Sequence, residues 1–186
     1  MRSIPENYLP KTLSQKDRRE QIGNIKKSRK AYTHGEFAER SQLGSFHSRR
    51  SPHVKRAEKL YHKSFSGLLA DGVPGCKWSK LKEILKKGKG AFYSSGSRPN
   101  QTQASWANAR LASAISGGKA AVVDQNILRR ACKYDSVARR LLRKRLKKVL
   151  PGAPSRAESP TKHSPRAGKT GSHKSGRAPL RRRKRT

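Results

Sequence analysis

The residues best suited to chemistry in this chain are cations. From Val137 to Leu150 the order is VARRLLRKRLKKVL, and no acid stands between Asp135 and Glu158. Wound at about 100° per residue, Val137, Ala138, Leu141, Leu142, Leu146 and Val149 gather on one side of a helix. Arg139, Arg140, Arg143, Lys144, Lys147 and Lys148 gather on the other, with Arg145 on the apolar side, where its stem can snorkel outward. Solvated faces ordinarily mix signs, so a face of one sign suits a polyanion. Nucleic acid is the first reading; an acidic protein, a membrane surface or plain solvation are the alternatives.

Two further groups carry potential chemistry. The C-terminal run Arg181, Arg182, Arg183, Lys184 and Arg185 extends the cationic surface and also fits a nuclear-import signal. Upstream, Ser159-Pro160-Thr161-Lys162 and Ser164-Pro165-Arg166 look like the Ser-Pro-x-basic units of linker-histone tails. Phosphorylation of Ser159 or Ser164 would add about −1.5 to −2 charges and loosen such binding. The second group is the polar stretch 88–102, with three glycines, which leads into an apolar helix. Ser95, Ser97, Arg98, Asn100 and Thr102 at a helix N-terminus could form an anion pocket. In the structural reading of the same residues, Asn100 or Thr102 caps the helix, Pro99 stiffens the turn and Arg98 pairs with Asp124 or Glu83.

Catalysis finds little support. The eleven acids are thinly spread, and HExxH, CxxC and GxSxG are all absent. Gly117-Gly118-Lys119 lacks the rest of a phosphate loop, because Ala120 stands where Ser or Thr is needed. A nucleic-acid-modifying activity around Ser97, Arg98 and Asn100 is the enzyme alternative. No metal or cofactor is expected. Cys76 and Cys132 cannot build a disulfide framework or a four-cysteine zinc site, and read as small buried apolar residues of a soluble, intracellular chain in a reducing compartment.

The elements that must position these groups are helical. The chain has 186 residues, Lys and Arg outnumber Asp and Glu by 46 to 11, the net charge is +35, and mean hydropathy is −0.98. One mostly α domain plus tails fits these values: an extended arm over 1–13, a basic helical domain over 14–150 and a disordered basic tail over 151–186. The tail has no aromatic residue and no larger aliphatic than Leu180, too little to offset ordering entropy. Helices are predicted at 14–32, 52–63, 77–87 (stopped by Gly88) and 103–116. Two more follow, one from Asp124 and one from Asp135 or Ser136 up to Pro151; a short strand is possible at 91–93. The 103–116 helix, with Trp106 and Leu111, is apolar nearly all round and should be the most buried. No apolar run approaches the roughly 20 residues of a membrane span, so membrane insertion is not expected.

The segment SSGSRPNQTxxSWxxARLASAIxGGKAAxVD, residues 94–124, resembles an uncharacterised domain family encoded by large nucleocytoplasmic DNA viruses. YLPxxLSxxDxxxQIxxIxKSRKxY, residues 8–32, is similar to that family's N-terminal part, and the resemblance covers roughly residues 8–132. It implies a viral protein carried in the virion, present in the host nucleus or a cytoplasmic virus factory during assembly. It implies no catalytic residues. The expectation is therefore a non-catalytic viral protein that binds nucleic acid, DNA before RNA, and condenses or packages the genome by charge neutralisation. The alternative is a minor capsid or scaffold protein beneath the shell. Its arm would thread between capsid subunits and its tail would face the genome.

Overall fold

The computed structural model describes residues 3–149. The tail read at 151–186, with Ser159, Ser164, Arg181, Arg182, Arg183, Lys184 and Arg185, lies outside the described residues. The described chain is mostly α, with eight α-helices and one turn of 3-10 helix over Glu6–Tyr8. Helix α1 is Gln15–Thr33, α2 Pro52–Tyr61, α3 Phe65–Asp71, α4 Trp78–Ser95, α5 Gln103–Ile115, α6 Lys119–Val123, α7 Gln125–Ala131 and α8 Val137–Val149.

Local chemistry sets most helix starts. Ser14 Oγ accepts the Asp17 N–H at 3.1 Å, Pro52 occupies the first turn of α2, and Thr102 and Ser105 form a reciprocal capping box at α5. Ser136 Oγ accepts the Arg139 N–H at 3.4 Å at the start of α8. Packing then orders the layers. Helix α5 lies against α2, α4, α6 and α8, and Leu111, Ala112, Ser113, Ala114 and Ile115 are all buried. Leu68, Leu81, Ile84, Leu128 and Leu142 close around it. The helix expected to be most buried is thus the centre of the core. Trp106 is only half-buried, because it sits at the edge of α5 with Tyr8 packed edge-to-face at 5.6 Å.

Helix α4 departs from expectation. It passes through Gly88 and Gly90 to Ser95, so neither the stop at Gly88 nor the strand at 91–93 forms. A helical glycine costs only about 1 kcal/mol relative to alanine, and here packing outweighs it. A Cβ on Gly88 would lie 2.6 Å from Ala107 Cα, so the missing side chain is what lets α4 and α5 approach. Helices α3 and α6 were not foreseen, since seven and five residues are too short to show a helical period.

Arm residues 3–13 lie on the helical body. Leu13 is buried, Gln21 Nε2 donates to Tyr8 O at 3.2 Å, and Arg18 donates to Leu9 O at 3.1 Å. The reading of Cys76 and Cys132 as separate small apolar residues is overturned: they form a disulfide across 56 residues of sequence. They face each other in an isolated antiparallel bridge, flanked by Lys77 N–H to Ala131 O at 2.7 Å and Lys133 N–H to Gly75 O at 2.8 Å. Local sequence carries no sign of this pairing, because only the packing of α7 against α4 brings the two strands of the bridge together.

Candidate nucleic-acid interface

Helix α8 packs its apolar side on α5, α6 and α7, burying Ala138 and Leu142. This turns the opposite side outward. Arg140, Lys144, Lys147 and Lys148 are exposed, and no acid stands among them. None of the four has a hydrogen-bond or ion-pair partner among the described residues. Arg139 is corrected: it is 6% exposed, not part of the open face. It lies in the first turn of α8, where the helix abuts the end of α7, and its Nη1 donates to Arg129 O at 2.8 Å. A cation there satisfies a terminal carbonyl of α7. Arg143 is half-buried. Its guanidinium lies 4.0 Å over the Tyr134 ring and donates to Tyr134 O at 2.8 Å. The face that periodicity draws with six cations therefore has four exposed.

The 96–102 turn has the opposite character. Gly96, at φ +104°, fits against Ile25, where a Cβ would meet Ile25 Cγ2 at 3.1 Å. Ser97 is 1% exposed; its Oγ accepts Arg40 Nη1 at 2.8 Å and donates to Arg98 O at 2.9 Å. Asn100, in the left-handed region at φ +53°, clamps the 43–46 segment. Its Oδ1 accepts the Leu43 N–H at 2.8 Å, and its Nδ2 donates to Leu43 O at 2.9 Å and Phe46 O at 2.6 Å. Thr102 caps α5 as the structural reading expected. Ser95 offers its carbonyl to Arg29 at 2.7 Å. The anion-pocket set is therefore not assembled as one: Ser97, Asn100 and Thr102 bond within the chain, and the Arg98 side chain is exposed. Neither expected partner reaches Arg98. Asp124 is bound bidentate by Arg110 at 2.8 and 2.9 Å, and Glu83 pairs with Arg130 at 3.1 Å.

Sequence reading missed Arg40, the residue that organises this turn. Besides Ser97, its guanidinium donates to Ser28 Oγ at 3.0 Å and to Phe92 O, and it lies 4.1 Å over the Phe92 ring. Burial pulls its pKa down to about 10, which leaves it charged at neutral pH. The only hint was an arginine isolated between Glu39 and Ser41, in a coil that has no period to read. Asp124 stands where a helix was expected to start, at the N-terminus of α7. Its side chain makes no cap bond and instead lies buried at 1% exposure, paired with Arg110 and 3.6 Å from Lys87. Burial, with Arg56 and Arg98 after it, holds the His53 imidazole below its ordinary range.

Among the described residues, no three His, Cys, Asp or Glu side chains group so as to hold a metal ion, and no helix is long and apolar enough to cross a membrane. The profile of a family of unknown function, DUF5824, matches residues 5–130, more than half of the chain. No curated protein and no solved structure matches. The match ends before Cys132, so α8 and its cations lie beyond it.

Proposed function

This chain belongs to DUF5824, a family of unknown function, and from its charged surface we propose a non-catalytic nucleic-acid-binding protein that neutralises and condenses a polyanionic genome. The observation that carries the reading is the outer face of α8, where Arg140, Lys144, Lys147 and Lys148 stand exposed without an acid among them. A protein that kept these cations for solubility alone would gain as much from mixed charge, and would avoid the self-repulsion of +35. Lysine and arginine on a helix face engage phosphates without reading bases, so binding is indifferent to sequence.

DNA is the favoured polymer, and carriage in a virion is part of the proposal. Both rest on the resemblance of segments 8–32 and 94–124 to a family encoded by large DNA viruses. The minor-capsid alternative needs an arm free to thread between subunits; residues 3–13 are bonded to the chain's own α1 and packed on Trp106 of α5. The experiment is a salt titration of binding to duplex DNA of unrelated sequences. If about ten phosphates are engaged, log affinity falls against log salt with a slope near −9. A slope shallower than about −3, or strong preference for one sequence, overturns the reading.

A further inference from the structure

A second cationic surface, unconnected with α8, runs along α4. Lys82, Lys86, Lys89 and Tyr93 follow one another at spacings of four, three and four, so they share one face of the helix over about 16 Å. All three lysines are exposed and have no acidic partner among the described residues. The stripe ends on aromatic rings. Tyr32, from the last turn of α1, is nearly parallel to Tyr93 at 6.4 Å between centroids. Phe37, from the coil after α1, lies 4.8 Å from Tyr93 and 6.2 Å from Tyr32. Phe37 is 63% exposed. Beside the rings is an open groove of about 560 Å³ whose walls include Tyr32, Lys86 and Ser94. Its other cations, Lys87 and Arg110, face Asp124, and its acid, Glu83, is held by Arg130.

We infer that the Lys82–Lys86–Lys89 stripe and the Tyr32–Phe37–Tyr93 platform together form a site for single-stranded nucleic acid, with phosphates on the lysines and an unpaired base on the exposed Phe37 ring. The inference rests on the nucleic-acid reading above and adds a strand preference that α8 does not supply. Charge complementarity selects a polyanion. The rings select one whose bases are open, since duplex bases are stacked on each other and present no face to a protein ring. Stacking of this kind tolerates any base, because every base has a π-face.

The test uses the full chain and three probes at one salt concentration: a thymidine 12-mer, an abasic 12-mer with the same phosphates, and a 12-base-pair duplex. Anisotropy should show the thymidine strand bound about tenfold more tightly than the abasic strand. Phe37→Ala, which leaves the helical signal and melting temperature in place because Phe37 is largely exposed, should abolish that ratio without changing the abasic or duplex affinity. Replacing Lys82, Lys86 and Lys89 by Gln should weaken both strands together. Equal binding of the two 12-mers by the parent, or an undiminished ratio in Phe37→Ala, overturns the platform while duplex binding leaves the α8 reading standing. Failure to bind any probe overturns both.

Discussion

In the 96–102 turn the polar side chains other than Arg98 bond within the chain, and on the outer face of α8 they end in solvent. Ser97, Asn100 and Thr102 hold Arg40, the 43–46 segment and the first turn of α5. Arg140, Lys144, Lys147 and Lys148 hold nothing among the described residues. Both regions look functional as lists of polar residues. The difference between them shows that a polar residue is available to a ligand only when the fold has not already satisfied it. A buried polar group must find a partner within the protein, and an exposed cation need not.

Substitutions should separate the two regions by what they change. Removing Arg40 should be the most damaging. Arg40→Met leaves Ser97 Oγ, Ser28 Oγ and Phe92 O without their donor, and should cost about 3–4 kcal/mol by denaturant melt. A loss under about 1 kcal/mol would mean that the turn holds itself. Opening the disulfide tests instead the crosslink between the segment before α4 and the segment after α7. A crosslink that closes this length of chain contributes about 2–4 kcal/mol, so the Cys76→Ser, Cys132→Ser double variant should lose that much in non-reducing buffer, as should the parent under reductant.

Asn100→Ala should follow at about 2–3 kcal/mol, since it removes three bonds to the 43–46 segment and places alanine in left-handed backbone. The α8 quartet should invert this pattern. Changing Arg140, Lys144, Lys147 and Lys148 to Gln should move the melt by under about 1 kcal/mol in total, because Gln is nearly as good a helix former. The salt slope on duplex DNA should become shallower by about 3–4. An unchanged slope would remove α8 from the interface. Arg98→Ala should do least. The melt should stay within about 0.5 kcal/mol. The one measurable change should be in His53, whose depressed pKa should rise toward its ordinary value once a neighbouring cation is gone, as read by an NMR pH titration.

Periodicity and caps were legible because they are local. Ser14, Thr102 and Ser136 mark helix starts with side chains that accept an N–H three residues on, Pro52 sits in the first turn of α2, and the apolar stripes of α5 and α8 repeat within one turn. The exposed cations of α8 were legible for the same reason. Where the reading failed, a distant partner decided the outcome. Gly88 weakens an isolated helix, and the helix runs on here because the close packing of Ala107, which a side chain at 88 would block, outweighs that cost. Arg139 belongs to the cationic side of a wheel, and the end of α7 covers it.

The sequence by itself determined a helical, strongly basic chain with an amphipathic last helix, because charge is additive and helical period is a property of neighbouring residues. Only the tertiary structure decided that Cys76 meets Cys132, that Arg40 organises the 96–102 turn, and that Lys82, Lys86 and Lys89 lead to a cluster of three rings. Each of these joins residues from separate helices or coils, and such pairings are set by which surfaces bury together, not by any residue's near neighbours.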